Sequence, residues 1–109
     1  MRNKILLAAP YSGTPGQRER RFHALNRAAA GFIRAGYCVC PPLCPRHAIC
    51  ADTDLPHDHG HWKRLNAALL PWADELWVHC QEGWDNSQDI ADQILQARNL
   101  DMPVKFFAP

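Results

Sequence analysis

The sequence lacks an excess of charge of either sign. Its 109 residues carry twelve basic and eleven acidic side chains, which gives a formal net charge of +1. A protein that binds long nucleic acid or an anionic membrane surface needs clustered positive charge, and this balance gives no sign of it. We therefore expect any nucleotide-like partner to be a small molecule.

Long hydrophobic runs are also missing. The apolar run at residues 5–10 is too short for a signal peptide, and no segment is apolar over the roughly 18 residues that a membrane helix needs. We therefore expect a cytoplasmic protein without a membrane partner. Internal repeats and low-complexity segments are absent too, and one core suits a chain of this length, so residues 1–109 are predicted to form a single domain.

The cysteines do not make an even set. Five are present, and an odd number cannot pair completely, so we expect thiols. Cys38, Cys40, Cys44 and Cys50 precede the H-x-H-x-H run of residues 57–61, which makes a zinc site an alternative. Their spacing departs from the paired C-x2-4-C pattern of structural zinc sites, and we predict no metal and no cofactor. Cys38 and Cys40 are expected on one face of a half-buried strand as small apolar residues.

Hydrophobic periodicity predicts strands that alternate with helices. The predicted strands are residues 4–9, 37–40, 75–79 and 104–107, and the predicted helices are residues 18–35, 61–72 and 87–100. This order indicates an α/β fold, a single-domain Rossmann-like or flavodoxin-like three-layer sandwich with a mostly parallel sheet of about four strands in the order 2-1-3-4. Prolines and polar residues predict a long functional or mobile loop between the second strand and the second helix.

The strand, loop and helix of residues 77–97 indicate where a ligand binds. In open α/β folds the ligand lies beyond the carboxyl ends of strands, where free N–H groups of a helix start favour an anion. The loop at residues 11–17 and His47 follow other strands and reach the same edge. Arg18 and Arg21 begin the next helix, where the dipole disfavours cations, so either they are solvated or one leans back to hold a phosphate or carboxylate.

Six ordered segments resemble the nucleoside 2-deoxyribosyltransferase superfamily, in particular its small bacterial and phage branches of uncharacterised proteins. The resemblance covers nearly the whole chain. The segments are AAPYS at residues 8–12, R-x-x-R-F at 18–22, a V-to-H segment at 39–47, W-x-x-x-N at 62–66, LLPWADELWV at 69–78 and G-W-x-x-S-x-D-x-x-x-Q at 83–93.

This resemblance implies N-glycosidic chemistry on a 2-deoxynucleoside or its 5′-monophosphate. In the superfamily a helix glutamate attacks or stabilises the anomeric carbon, and an aspartate on the preceding helix helps to handle the base. The first loop and a helix serine hold the sugar or phosphate, and subunits commonly assemble, so a homo-oligomer is expected. The candidate substrate-binding residues are Tyr11, Ser12, Gly13, Arg18, Arg21, His47, Trp62, Trp84 and Ser87, the two tryptophans being candidates for stacking on a base.

The catalytic positions depart from the superfamily pattern. Gln93 stands where the glutamate is expected and Asn66 where the aspartate is expected, and neither amide can act as a general acid or base. Asp89 lies one helical turn before Gln93 and is better placed than Asp92 to replace the glutamate. Alternatively, Asp89 only complements the helix dipole, and the two amides read the edge of a base.

The sequence leaves three functions open, and the candidate catalytic positions, Gln93, Asn66 and Asp89, bear on the first two. We favour a protein that binds a small nucleoside or nucleotide and has lost hydrolytic activity. The alternative is an active nucleoside or nucleotide N-glycosidase or 2-deoxyribosyltransferase in which Asp89 takes over the role of the glutamate. A zinc-stabilised interaction module is the third. The sequence leaves open the base, the need for a 5′-phosphate and the role of the histidine-rich loop.

Overall fold

The structure, a computed structural model, describes residues 3–109 and contains one parallel four-stranded sheet with helices on both faces. The strands are β1 (Lys4–Ala8), β2 (Cys38–Cys40), β3 (Glu75–His79) and β4 (Val104–Phe107). The helices are α1 (Pro15–Arg34), α2 (Leu43–Asp52), α3 (His59–Leu69) and α4 (Gln88–Asn99). The strand order β2-β1-β3-β4 confirms the predicted α/β fold class and the order 2-1-3-4.

The two central strands, β1 and β3, are buried on both faces. Leu6 of β1 lies between Cys40 of β2 and Leu76 of β3, and Leu7 lies beside Trp77. Because helices cover both faces, β1 and β3 have nearly continuous apolar sequences without alternation. This explains why their apolar runs predicted these two strands within one residue of their observed ends.

Successive side chains of the sheet supply two separate cores. On one face, Leu7 and Trp77 pack with Leu25 of α1 and with the aromatic rings of Phe32 and Phe107. The opposite face forms its core with α4 and the turn after α3, from residues that include Leu6, Leu70, Val78, Ile90 and Ala97. The sheet is therefore the middle layer of three.

Helix α1 begins three residues before the predicted start. Thr14 is its N-cap and accepts a hydrogen bond from the backbone N–H of Gln17, whose side chain accepts one from the N–H of Thr14. Pro15 occupies the first helical position, where it costs no hydrogen bond. The glycine and proline of this segment had predicted a loop, whereas they belong to a capping box and a first turn.

Helix α2 lies where the sequence predicted a long irregular loop, so that prediction was wrong. Pro41 and Pro42 precede α2 and Pro45 lies in its first turn, where backbone N–H groups have no partner within the helix. The prolines are thus compatible with a helix start. Residues 53–58 alone stay irregular in this part of the chain, and nearly all of them are exposed.

Two further predictions about buried faces hold only in part. Helix α3 begins at His59 and is followed by a single 3-10 turn at Leu70–Trp72. The helical spacing of Trp62, Leu65 and Trp72 predicts one buried face, but only Trp62 is buried, and Leu65 and Trp72 are exposed. Cys38 is exposed and Cys40 is half-buried, so Cys38 does not contribute to the core, because it lies at the start of an edge strand. All five cysteines are free thiols. None of the helices within residues 3–109 has the length and apolar character to cross a membrane.

Candidate functional site

A small polar chamber lies beyond the carboxyl end of β1, enclosed by α2, α3 and α4. Its volume of about 10 Å³ is close to the minimum that one water molecule needs. Pockets for small organic ligands have volumes of roughly 300–1,000 Å³, so this chamber is too narrow to hold such a ligand. Its walls are Leu7, Ala8 and Ala9 with Pro42, Leu43, Arg46, Asn66, Asp89 and Gln93. We call this space the polar chamber because four of its walls are polar side chains, those of Arg46, Asn66, Asp89 and Gln93.

Asn66 and Gln93 face the polar chamber from neighbouring helices. Asn66 follows Trp62 by one turn of α3, and Gln93 follows Asp89 by one turn of α4, so helical spacing directs each pair to the same side. The two amides are only 7% and 6% exposed, and neither side chain has a hydrogen-bond partner among residues 3–109. Buried amides are normally paired, so both have free capacity for a ligand or water.

Asp89 lies between the side chains of Arg46 and His59. Its Oδ1 is 2.6 Å from Nδ1 of His59, and its Oδ2 is 3.1 Å from Nη1 of Arg46. The second contact brings opposite charges together without hydrogen-bond geometry, so Asp89 Oδ2 and Arg46 Nε both lack a hydrogen-bond partner among the described residues. The carboxylate is therefore well balanced in charge but incompletely hydrogen bonded.

Arg46 is the chamber residue that the sequence analysis missed. It is 3% exposed, and its guanidinium group lies 4.8 Å from the ring centre of Tyr11 and 5.9 Å from that of Trp62. Its Nη2 also donates a hydrogen bond to the carbonyl oxygen of His57. Once residues 43–52 are taken as a helix, Leu43, Arg46 and Cys50 fall on one face at intervals of three and four, which is the signal that could have found it.

His59 was also missed as a site residue. Its two ring nitrogens lie 2.6 Å from Asp89 Oδ1 and 2.6 Å from Asp92 Oδ2, so both nitrogens donate when the ring is protonated. Partial burial lowers the pKa of His59, but the hydrogen bonds to Asp89 and Asp92 outweigh it, and the net effect raises the pKa above its ordinary value. His59 thus joins the start of α3 to the first turns of α4.

Tyr11 and His47 form a hydrogen-bonded chain on the other side of α2. The Tyr11 hydroxyl is 2.7 Å from Nδ1 of His47, and Nε2 of His47 is 2.8 Å from Oε2 of Glu19. The His47 ring also stacks on Phe22 at 4.3 Å between ring centres. Burial raises the pKa of Tyr11. Neither Tyr11 nor His47 lines the polar chamber, although the Tyr11 ring supports Arg46.

The first loop lies beside a separate cavity of about 300 Å³. Ser12, Gly13 and Arg18 line it together with His57 and Asp58, which follow α2. Arg18 leans back over the loop, and its Nη1 donates a hydrogen bond of 2.6 Å to the carbonyl oxygen of Gly13. This cavity is thus near the polar chamber but has different walls.

Arg21 points away from both of these spaces. Its Nη1 donates to the carbonyl oxygen of Ser12, and its Nη2 donates at 3.0 Å to that of Glu82. Gly83, in the left-handed region at φ +87°, allows this approach, because a Cβ atom there would lie 3.2 Å from Arg21 Nη2. Arg21 therefore ties the loop after β1 to the loop after β3, on the α1 face of the sheet.

The remaining candidates, Trp62, Trp84 and Ser87, stabilise the walls. The indole N–H of Trp62 donates a hydrogen bond of 2.6 Å to the carbonyl oxygen of Pro56. Trp84 packs against Phe106, with 5.4 Å between ring centres, and Ser87 caps α4 by accepting a hydrogen bond from the N–H of Ile90. None of the three lines the polar chamber.

The comparisons with known proteins place the chain in one family. Residues 3–108 match the family described as a domain of unknown function, DUF1937. The chain belongs to the DUF1937 family. None of the curated proteins compared with it gives a significant match. Within residues 3–109 of this DUF1937 chain, no three His, Cys, Asp or Glu side chains are grouped so that they could hold a metal ion.

The polar chamber of this DUF1937 chain is better suited to forming hydrogen bonds with a ligand than to cleaving a glycosidic bond. Its two free amides and one carboxylate offer donors and acceptors in fixed positions. The Asp89 carboxylate already contacts the charged Arg46 and is hydrogen bonded to His59, which weakens the stabilisation that it could give to a developing positive charge. The arrangement therefore favours binding.

Proposed function

We propose that this protein binds a small nucleoside or nucleotide on a deoxyribosyltransferase-like scaffold and has lost hydrolytic activity. One observation carries the proposal: Asn66 and Gln93, at the positions where the resemblance expects two catalytic carboxylates, are buried amides without partners in one chamber. An amide can donate and accept hydrogen bonds without ionising, which suits the edge of a nucleobase.

Loss of hydrolysis is supported by the charges around the polar chamber. An oxocarbenium-like transition state needs an anion beside it. The carboxylate available in the chamber is Asp89, which already contacts Arg46 at 3.1 Å and His59 at 2.6 Å. A reaction at Asp89 would therefore require at least one of these cations to move away.

An active N-glycosidase or 2-deoxyribosyltransferase is the second candidate. It is favoured by the position of Asp89, a buried carboxylate one turn from Gln93 in the same chamber. If Arg46 moves away on ligand binding, Asp89 would become free to attack the anomeric carbon or to stabilise its charge.

Assembly and location belong to the same proposal. We expect a homo-oligomer, as the resemblance implies, and a cytoplasmic location, as the sequence predicts. Trp72 is exposed, whereas Trp77 lies in the core, so Trp72 is the better candidate for a contact between subunits.

A panel of nucleosides and (deoxy)nucleoside 5′-monophosphates tests both functions. Each compound is added to the purified protein, and the shift of the melting temperature and the release of free base by chromatography are measured. We expect stabilisation by at least one compound without release. Base release that disappears in Asp89→Ala would replace the binding function with the enzymatic one, and no stabilisation and no release would contradict both.

Two glutamines of α4 provide a matched pair of variants, one inside the polar chamber and one outside it. Gln93→Ala removes an amide of the polar chamber, whereas Gln88→Ala removes an exposed amide at the start of the same helix. We expect ligand-induced stabilisation to be lost in the first variant and kept in the second. Equal behaviour of the two variants would show that the ligand binds elsewhere.

A further inference from the structure

The polar chamber is too narrow for a nucleobase, so one of its walls must move before such a ligand can enter. A volume of about 10 Å³ holds one water molecule at most, whereas a nucleobase needs a pocket many times larger. The walls on β1 and α4 belong to the central packing, since Leu7 and Ile90 are fully buried in the two cores. Their displacement would expose apolar surface, which makes them the unfavourable choice.

Residues 43–57, which we call the α2 lid, are attached differently. The backbone hydrogen bonds that begin α2 at Pro41 and Pro42 belong to its own first turn. Beyond these, no backbone-to-backbone hydrogen bond joins the α2 lid to another part of the described chain. Residues 51–56 are exposed throughout, and Pro42 provides no side-chain cap. Segments with few interactions of this kind open at low free-energy cost.

The α2 lid is held to the rest of the protein by side chains on two sides. Toward α1, Leu43 is buried in the core, Cys44 contacts Asn26, and His47 stacks on Phe22. Toward α3 and α4, the attachments are the hydrogen bond of 2.6 Å from the Trp62 indole N–H to the Pro56 carbonyl oxygen and the contact of Arg46 with Asp89. Rolling the α2 lid about its α1 side would therefore separate Arg46 from Asp89 and open the polar chamber.

The contact between Arg46 and Asp89 is suited to being exchanged for a ligand. Both groups are buried, yet Arg46 Nε and Asp89 Oδ2 each lack a hydrogen bond. Buried charged groups that are incompletely hydrogen bonded lose part of the stabilisation they could have. A ligand with N–H donors for Asp89 and acceptor oxygens for Arg46 would satisfy both, and it would bind the open form more tightly than the closed form.

We propose that Arg46 is the latch of the α2 lid, so that separation of Arg46 from Asp89 opens the polar chamber to its ligand. This proposal rests on the proposed function, because it concerns access to the same chamber. The ligand that opens it carries both a base-like edge with N–H donors and an anionic or carbonyl oxygen. Arg46 is thus a positioning residue in the closed form and a contact of the ligand in the open form.

Hydrogen exchange followed by mass spectrometry tests the latch without a ligand. In the unmodified protein, the amides of the α2 lid are expected to exchange faster than those of β1 and β3. In Arg46→Gln, exchange in the α2 lid is expected to rise by about tenfold or more, with β1 and β3 unchanged, because the buried ionic contact is lost. Arg64→Gln, an exposed arginine of α3, is the matched control and should leave exchange unchanged.

The result that overturns the latch is unchanged exchange in the α2 lid of Arg46→Gln, or a uniform increase through β1 and β3, which would make Arg46 only a stabilising residue. If Arg46→Gln does not fold, Asp89→Asn removes the charge from the other partner with little change in size, and the same two outcomes apply. In either variant, local faster exchange in the α2 lid supports the latch.

The nucleotide panel separates failure of the latch from failure of the proposed function. Local opening in Arg46→Gln with no binding of any compound to the unmodified protein would contradict the proposed function and leave the latch. Binding of a compound without any change of exchange in the α2 lid would contradict the latch and leave the function. A bound compound that alters exchange in the α2 lid supports both.

Discussion

Two adjacent residues of α2, Arg46 and His47, attach the helix to opposite sides of the protein by different kinds of contact. Arg46 is buried and meets Asp89 with two polar atoms left unpaired. His47 uses both ring nitrogens, toward Tyr11 and toward the exposed Glu19. The buried pair is stronger electrostatically and less well hydrogen bonded, whereas the partly exposed chain is complete but screened by water. A helix attached in this way has a fixed side and an exchangeable side.

The largest expected effect is on the Arg46 side. Replacing Arg46 by Gln should lower the free energy of unfolding by about 3 kcal/mol, because it removes one partner of a buried pair; His59 keeps the loss from being larger. Urea denaturation measures the difference, with Arg64→Gln as the exposed control. The variant Tyr11→Phe tests the His47 side of α2. If Arg46→Gln lowers the free energy of unfolding by less than Tyr11→Phe does, the contact on the Arg46 side is the weaker of the two.

The next effect is on the His47 side. Tyr11→Phe removes the hydroxyl that lies 2.7 Å from His47 and should lower the free energy of unfolding by about 1 kcal/mol, also measured in urea. Glu19→Gln changes the exposed end of the same chain and should have little effect, since surface ion pairs contribute little. A larger loss of stability for Glu19→Gln than for Tyr11→Phe would show that burial does not determine how much each of these hydrogen bonds contributes.

A pH-dependent effect tests the second cation on Asp89. The raised pKa of His59 means that the folded protein binds a proton more tightly than the unfolded chain does. The resulting stabilisation is fully present below the ordinary histidine pKa of about 6.5 and is lost as the pH rises through the raised value. The free-energy gap between the unmodified protein and His59→Gln should therefore be widest at acid pH and shrink above neutrality. A gap independent of pH would mean that His59 is not protonated in the fold.

The smallest expected effect is catalytic. Gln93→Glu places a carboxylate at the superfamily's glutamate position and should give slow release of base from a bound nucleotide, detected by chromatography. The new carboxylate also offers Arg46 a second partner, so the rate should stay low unless the α2 lid opens. A folded variant with no release at all would show that the geometry of the chamber has drifted from that of a glycosidase.

The fold was largely predictable because its central strands are continuous apolar runs and two of its helices have strongly periodic apolar residues. Leu6 and Leu76 lie in continuous apolar runs, and Leu25 and Ile90 recur with their neighbours at helical spacing. Such patterns depend only on which face is buried. The order of the strands followed from right-handed connections between parallel neighbours.

The missed parts of the site depend on contacts between distant segments. The prolines around Pro42 concealed α2, and without that helix Arg46 appeared as an isolated loop cation. His59 appeared only within a run of histidines considered for zinc, whereas its partners, Asp89 and Asp92, lie about 30 residues later. Asn66, Asp89 and Gln93 were found because helical spacing and the resemblance both pointed to them, and they do share one chamber.

The tie made by Arg21 determines how this protein can respond to the size of a ligand. By holding the carbonyl groups of Ser12 and Glu82 together, Arg21 fixes the ends of β1 and β3 relative to each other. The two strand ends that meet below the polar chamber are therefore held together. If the proposed function and the proposed movement of the α2 lid are correct, a purine should require a larger displacement of α2 from α4 than a pyrimidine does.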